Sequence, residues 1–316
     1  MELRQLRYLV AVVEEGGFTR AAERLHLAQP GISAQIRQLE RELGQRLLDR
    51  TGRAVALTEA GAAVLPYARA ALAAVEGVRQ SAHAYAGLLT GQVAIGMVAG
   101  VPGGAGVPGG PGAARVPDLA GLLADFHAEH PGVEISLRES TSERMLTALR
   151  RGELDLALVG LESAEPPPGL DVHLVVDLPL VAAIAPGHPL AADPGPLPVA
   201  ALADHPLIGL PPGTGVRGAL ERACAEAGVR PRVAFEASTP PLLADLAARG
   251  LGVAVLPRPA PGAADALGVR VRRLVAPEPR GRVALAWPTT GPARPAARAL
   301  LARLRAAFDA AGPLTP

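Results

Sequence analysis

Residues 18–41 read Phe-Thr-Arg-Ala-Ala-Glu-Arg-Leu-His-Leu-Ala-Gln-Pro-Gly-Ile-Ser-Ala-Gln-Ile-Arg-Gln-Leu-Glu-Arg. The pattern is two short amphipathic helices joined by a tight turn. The first buries Ala21, Ala22 and Leu25, and its small alanines let another helix come close. The second buries Ile32, Ile36, Leu39 and Leu43, whose 4-3-4 spacing defines one inward face. Pro30 suits the first turn, where a missing N–H costs nothing. Gln29, Pro30, Ser33, Ala34, Arg37 and Arg41 then share the outer face. Short polar groups near a helix start, with arginines further along, are what major-groove entry requires.

The flanks extend this unit. Upstream, Leu3, Leu6, Leu9 and Val13 form another apolar stripe ending at Gly16-Gly17. Downstream, Leu47–Thr58 predicts a short hairpin turning at Thr51-Gly52. Helix, helix-turn-helix and hairpin together make a winged helix-turn-helix. Arg50 and Arg53 on the wing are placed to reach phosphates or the minor groove.

These residues resemble the DNA-binding domain of LysR-type transcriptional regulators. The matching strings are Leu-Arg-Gln-Leu-Arg-Tyr at 3–8, Phe-Thr-Arg-Ala-Ala-Glu-Arg-Leu-His at 18–26 and Ala-Gln-Pro at 28–30. Ser33, Gln-Ile-Arg-Gln-Leu-Glu at 35–40, Glu-Leu-Gly at 42–44, Arg-Thr-Gly-Arg at 50–53 and Leu-Thr-Glu-Ala-Gly at 57–61 complete them. The resemblance implies that Gln29, Pro30, Ser33 and Arg37 face base edges. Thr19, Arg50 and Arg53 would hold the backbone or minor groove. Ala34 sits among the base-facing positions with a shorter side chain than the family often has there.

Bulk properties agree with such a protein and exclude others. The chain has 316 residues, 49% hydrophobic, enough for two or three domains with real cores. No apolar run approaches the roughly 20 residues of a membrane span. The N-terminus interleaves charge with apolar residues rather than forming a signal peptide, so a cytoplasmic location is expected. The net charge is +1, which is no objection where one small domain touches DNA and only local charge matters. There is no lysine, so the positive side chains are arginine, which grips guanine and phosphate with two donors at once. Cys224 is the single cysteine. It reads as a small buried helix residue, and neither a disulfide nor a multi-cysteine zinc site is expected. The seven histidines look scattered, and no nucleophile motif is present, so the chain reads as a non-enzyme without cofactor or metal.

Thr58 caps a helix expected to run to about Leu89, bent locally by Pro66. Leu65, Ala68, Leu72, Val75 and Ala82 form a seam suited to another helix; in the family this is the linker and dimerisation helix. From Gly91, strands alternate with helices, which predicts parallel sheets with crossover helices. The stretch 148–159 echoes 246–256, each reading helix, Arg-Gly, apolar strand. The expected fold is therefore α/β with an N-terminal all-α winged helix-turn-helix (1–60), a long linker helix (58–90) and a regulatory domain (91–316). The resemblance gives the last a type 2 periplasmic-binding-protein architecture of two Rossmann-like lobes. Lobe one is expected at 91–160 plus 257–316 and lobe two at 161–256, with crossovers near 159–161 and 256–257.

Ligands of parallel α/β lobes bind beyond the carboxyl ends of strands, near helix N-termini. That places candidate effector contacts at Gly100, Val101, Ser140, Thr141, Thr214, Ser238 and Thr239. Position by position, each hydroxyl is better explained as a helix cap, and only their convergence on one cleft favours a site. The Gly/Pro-rich stretch 100–117 departs from the family, whose corresponding loop is shorter and polar. The implied partners are double-stranded promoter DNA, a small-molecule effector, further copies of the chain as homodimer or homotetramer, and RNA polymerase; no membrane is implied. The alternatives are a ligand-independent DNA-binding repressor with a degenerate effector pocket, and a cytoplasmic solute-binding module.

Overall fold

The computed structural model describes residues 1–50, 55–85, 89–99, 117–259 and 262–312, with the side chains of 79–85 and Ala263 left aside. Three helices open the chain: α1 (Leu3–Glu14), α2 (Phe18–Leu25) and α3 (Gln29–Leu43). Their core holds Leu6, Leu9, Val12, Ala21, Ala22, Ile32, Ile36 and Leu39, all buried. Leu25 is half-buried against it. Three expected core positions differ. Leu3 and Leu43 are exposed and Val13 is only half-buried, while Val12 is fully enclosed. The inward arc of α1 therefore runs through 6, 9 and 12, and Leu43 lies at the end of α3, past the last turn that faces a partner. The wing strands β1 (Leu48–Asp49) and β2 (Ala56–Leu57) pair antiparallel.

Helix α4 (Glu59–Tyr85) continues through Pro66, and residues 86–88 of its expected span lie outside the described residues. The Thr58 hydroxyl accepts from Gly61 N–H at 3.0 Å, as a helix cap should. Gly61 has a second reason to lack a side chain: a Cβ there would collide with the Leu47 carbonyl. Leu65 and Ala68 are buried, with Ala68 and Leu72 packed into the core of α1–α3. Part of the expected seam is thus spent on the chain's own domain.

The remainder is one mixed sheet flanked by helices. Its elements are β3 (Gly91–Met97), α5 (Leu119–Glu129), β4 (Val133–Glu139), α6 (Ser142–Arg150), β5 (Leu156–Leu161) and β6 (Leu170–Ile184). There follow β7 (Leu197–Pro198), β8 (Leu207–Gly209), α7 (Gly215–Glu226), β9 (Val233–Glu236), α8 (Pro240–Ala248) and β10 (Val253–Pro257). The chain ends with α9 (Ala263–Ala266), β11 (Arg270–Val275), β12 (Arg280–Pro288) and α10 (Pro295–Ala311). The main strand order is β4-β3-β5-β12-β6-β10-β8-β9, with β11 beside β6 and β7.

Strand β6 joins the lobes. Its first part, Leu170–Pro179, pairs antiparallel with β12, and Leu180–Ile184 lies between β10 and β11. The chain therefore changes lobe within β6, and again between Val275 and Arg280. The crossovers are not at 159–161 and 256–257, because β5 turns back into its own lobe and β11 remains in the second. Among the described residues the sheet is parallel at β3–β4, β3–β5, β8–β9, β8–β10 and β7–β11, and the strands around the crossings run antiparallel.

Helices cover both faces of each lobe, so central strands are apolar on both sides. In β5, Leu156 and Leu158 join Phe126, Leu300 and Phe308, whereas Ala157 and Val159 meet Met145 and Leu149 of α6. In the second lobe, Leu180, Val253 and Val255 pack with Leu220 and Cys224, while Val181, Ala254 and Leu256 face Leu243 and Ala247. The sequence echo is structural. Gly152 and Gly250 follow α6 and α8 in the left-handed region, at φ 66° and 79°, each before a buried strand.

Candidate nucleic-acid interface and inter-lobe cleft

Two features of the chain terminate α2 and start α3 at an angle. His26 stops α2 in the left-handed region at φ 53°, and Pro30 fits the opening turn of α3. The outer face of α3 then exposes Gln29, Pro30, Ala34, Arg37 and Arg41, with Ser33 half-buried. Arg37 donates to the carbonyl of Ser33 on its own helix at 3.3 Å. Neither Arg37 nor Arg41 has a carboxylate partner among the described residues. Thr19 is exposed in the first turn of α2.

Other arginines nearby are neutralised. Arg24 pairs with Glu14 and Glu15 at 2.9 and 3.0 Å, and these carboxylates raise its pKa further. Arg50 donates to Glu40 at 2.9 Å and lies over the Phe18 ring, 5.0 Å from its centroid. The other oxygen of Glu40 accepts from the N–H groups of Leu47 and Leu48 at 3.0 and 3.2 Å. Glu40 thus ties the recognition helix to the wing strand, and Arg50 braces the wing against α2. This bracing was not apparent from the sequence, where Glu40 looks like one more exposed charge. Arg53 lies outside the described residues.

Between the lobes, the starts of α6 and α7 meet. The Glu143 N–H donates to the Gly213 carbonyl at 3.2 Å. Ser142 is buried, and its hydroxyl accepts from Gly160 N–H at 2.9 Å. A Cβ on Gly160 would sit 3.1 Å from both Cα and N of Gly215, and one on Gly215 would overlap the Gly160 carbonyl. Only two glycines allow this approach. Of the expected effector residues, Thr141 and Thr214 come to this junction at the caps of α6 and α7, yet neither side chain makes a capping hydrogen bond. Thr214 instead donates to the Pro211 carbonyl at 2.8 Å. The Ser140 N–H donates to the Met97 carbonyl at 3.2 Å. Ser238 is exposed and Thr239 caps α8 by position alone; no hydrogen bond joins either to Thr141 or Thr214 among the described residues. Gly100 and Val101 lie outside those residues. A hollow of about 540 Å³, lined by Gln45, Arg46, Thr58 and Glu59, lies at the junction of α3 and α4 rather than between the lobes.

Two family models match the chain. One, described as the bacterial regulatory helix-turn-helix protein of the lysR family, matches residues 3–62. The other, the LysR substrate binding domain, matches residues 110–309. The chain is a LysR-type transcriptional regulator. It is 33% identical over 310 residues to the DNA-binding transcriptional dual regulator OxyR of Escherichia coli (strain K12), covering 98% of this chain and 96% of that protein. It is also 33% identical over 258 residues to the RuBisCO operon transcriptional regulator of Allochromatium vinosum, covering 81% of this chain and 82% of that one. A full-length OxyR variant from Pseudomonas aeruginosa superposes with a TM-score of 0.66 at 27% identity, covering 98% of this chain and 94% of that structure. As a LysR regulator the chain is DNA-binding, and it carries the family's effector-binding domain.

The histidines are less scattered than their sequence positions suggest. His188 and His205 stack edge-to-face with centroids 4.9 Å apart. His188 Nδ1 accepts from Leu190 N–H at 3.2 Å. Burial, then the charge of His205, pushes the His188 pKa below its ordinary value. No group of three or more metal-ligating side chains occurs among the described residues.

Proposed function

We propose that this regulator reads promoter DNA with the outer face of α3, as a homodimer or homotetramer, and that it acts in the cytoplasm and is not an enzyme. Gln29, Pro30, Ser33 and Arg37 contact base edges, with Ala34 against the groove. Thr19, Arg53 and Arg41 hold phosphates. The observation that carries this reading is the contrast in charge. Arg37 and Arg41 are exposed and have no carboxylate partner among the described residues, while Arg24 and Arg50 are neutralised. Unpaired guanidinium groups on an exposed helix face gain most from DNA.

Self-association is supported by α4. Tyr67 and Val78 are strongly exposed and stand 11 residues apart, close to three full turns, so they share one face. RNA polymerase is a further candidate partner. Ser140, Thr141, Thr214, Ser238 and Thr239 are the candidate effector contacts, with Gly100 and Val101. The contact between Gly160 and Gly215 favours a second reading beside this one: a regulator whose cleft is closed and which binds DNA without an effector. Under the first reading, an effector seated between α6 and α7 would have to part those two backbones.

The test is a gel-shift titration of the protein on DNA upstream of its own gene, at two salt concentrations, with unrelated competitor. Binding that outlasts competitor and weakens with salt supports specific reading. Binding that competitor removes in proportion to its mass refutes specificity for that DNA.

A further inference from the structure

Two polar side chains at the inter-lobe junction are not used by the protein itself. Thr141 stands at the cap of α6 without making a capping hydrogen bond, and Glu143, in the first turn of α6, is exposed. Neither side chain has a hydrogen-bond or ion-pair partner among the described residues. Both reach toward lobe two. A Cβ on Gly213 would lie 3.0 Å from Oε2 of Glu143 and 3.5 Å from Oγ1 of Thr141. Gly213 has a φ of 78°, which disfavours any side chain there. A carboxylate and a hydroxyl therefore converge on a place that the chain leaves unfilled. The bond from Glu143 N–H to the Gly213 carbonyl holds the two loops in this register.

The surrounding charges decide what fits. Both arginines of α7 are engaged elsewhere. Arg217 pairs with Glu221 and Glu236 at 2.6 and 3.0 Å, and Arg222 reaches Glu162 at 3.6 Å. Arg144 follows Glu143 directly in α6, and successive side chains of a helix do not face each other. The positive end of the α6 dipole, which would otherwise favour an anion, already has the Glu143 carboxylate beside it. An anionic group brought here would meet an uncompensated negative charge. A cationic nitrogen carries the opposite charge and donates several hydrogen bonds, which is what two free acceptor oxygens lack. We propose that the effector carries an ammonium or guanidinium group, held over Gly213 at the rim of the cleft by Glu143 and Thr141. This rests on the effector-binding reading above, to which it adds Glu143 as a contact and a charge class for the ligand.

The probe is the small-molecule extract of the source bacterium, divided by ion exchange at neutral pH into cationic, neutral and anionic fractions. Full-length wild type is dialysed to equilibrium against each fraction, and retained compounds are read by mass spectrometry. Glu143→Gln, Thr141→Val and Glu165→Gln are run beside it. Glu165 is another exposed carboxylate, so its variant controls for cations drawn to any acidic surface. Wild type is expected to retain a compound from the cationic fraction. Glu143→Gln should weaken its binding by about tenfold or more, the scale of a charge-assisted hydrogen bond, and Thr141→Val by about threefold. Glu165→Gln should leave it unchanged.

A retained compound that is anionic or neutral overturns the proposal and leaves the effector-binding reading standing. So does a cation held equally by wild type and Glu143→Gln, or one weakened as much by Glu165→Gln. Retention of nothing from any fraction overturns the effector-binding reading, and this proposal with it.

Discussion

Replacing Glu40 by alanine tests how the wing is held to the recognition helix. The side chain is 11% exposed and satisfies two backbone donors, Leu47 N–H and Leu48 N–H, besides pairing with Arg50. Leu47 and Leu48 are buried, so their N–H groups gain little from water when the acceptor is removed. A donor left unsatisfied in a buried setting costs roughly 1–3 kcal/mol. Two of them, with partial rescue by solvent at the wing edge, put Glu40→Ala at about 3 kcal/mol. Glu40→Gln retains an acceptor oxygen and loses the charge, so about 1 kcal/mol is expected. In a domain of this size each kcal/mol shifts the melting midpoint by roughly 4–8 °C. Calorimetry of the full chain should show the N-terminal transition lowered by more than 10 °C in Glu40→Ala and by much less in Glu40→Gln, with the lobes unmoved. Equal melting of the three proteins would refute the bracing role. Arg50→Ala adds a check on the DNA complex. A phosphate contact contributes a slope of about 0.9 to the logarithmic salt dependence. As a brace paired with Glu40, Arg50 should leave that slope unchanged; a slope flattened by a full contact would return Arg50 to the backbone-gripping role.

Arg37→Ala should weaken binding to the selected operator by about 1–3 kcal/mol while sparing non-specific DNA, measured by competition titration; unchanged specific binding removes Arg37 from base reading. Cys224 is fully buried and burial pushes its thiol pKa up, so the native protein should resist iodoacetamide and peroxide and react only on unfolding, as mass spectrometry would show. His188 has a folded pKa below the ordinary 6.5, so its contribution to stability is whole above that pH and declines as pH falls from there toward the folded value, where the unfolded chain takes up the proton first. Denaturation midpoints of the second lobe should accordingly fall on acidification below 6.5, and His188→Asn, which keeps an acceptor for Leu190, should flatten that decline. Gly215→Ala places a methyl group in the Gly160 backbone; overpacking of that kind costs about 1–3 kcal/mol, and small-angle scattering should report a larger radius of gyration, an unchanged radius counting against a tight contact in solution.

The reading domain could be recognised from sequence because its determinants are local. Ile32, Ile36 and Leu39 repeat at helical spacing, Pro30 marks a helix start, and Thr58 is an N-cap that does cap. The regulatory domain was harder where its determinants are distant. The first ten residues of β6, with β11 and β12, carry a weak local strand signal. Asp171, His173, Asp177 and Pro179 interrupt the apolar run of β6 that continues after Leu180, and Arg270, Arg272 and Arg273 disguise β11. Arg272 is buried nonetheless, because the Leu190, Gly195 and Pro196 carbonyls and Asp193 satisfy it. No local pattern announces such a partner set. For the same reason hydroxyls at Thr141 and Thr214 drew attention as candidate contacts, whereas Ser142, Gly160 and Gly215 form the junction between the lobes. A glycine that enables a contact from across the fold looks, in sequence, like any turn.

That junction also bears on sensitivity. A ligand that had to part Gly160 from Gly215 would bind only molecules in which the two have separated, and its apparent dissociation constant would be the intrinsic one divided by the open fraction. An open fraction of about 1%, ordinary for a minor state, weakens the apparent affinity about a hundredfold. Such a threshold filters out metabolites present at trace levels and lets only an abundant or very tightly held compound shift the population. Substitutions that loosen the glycine contact would lower the threshold without touching a single ligand-binding group.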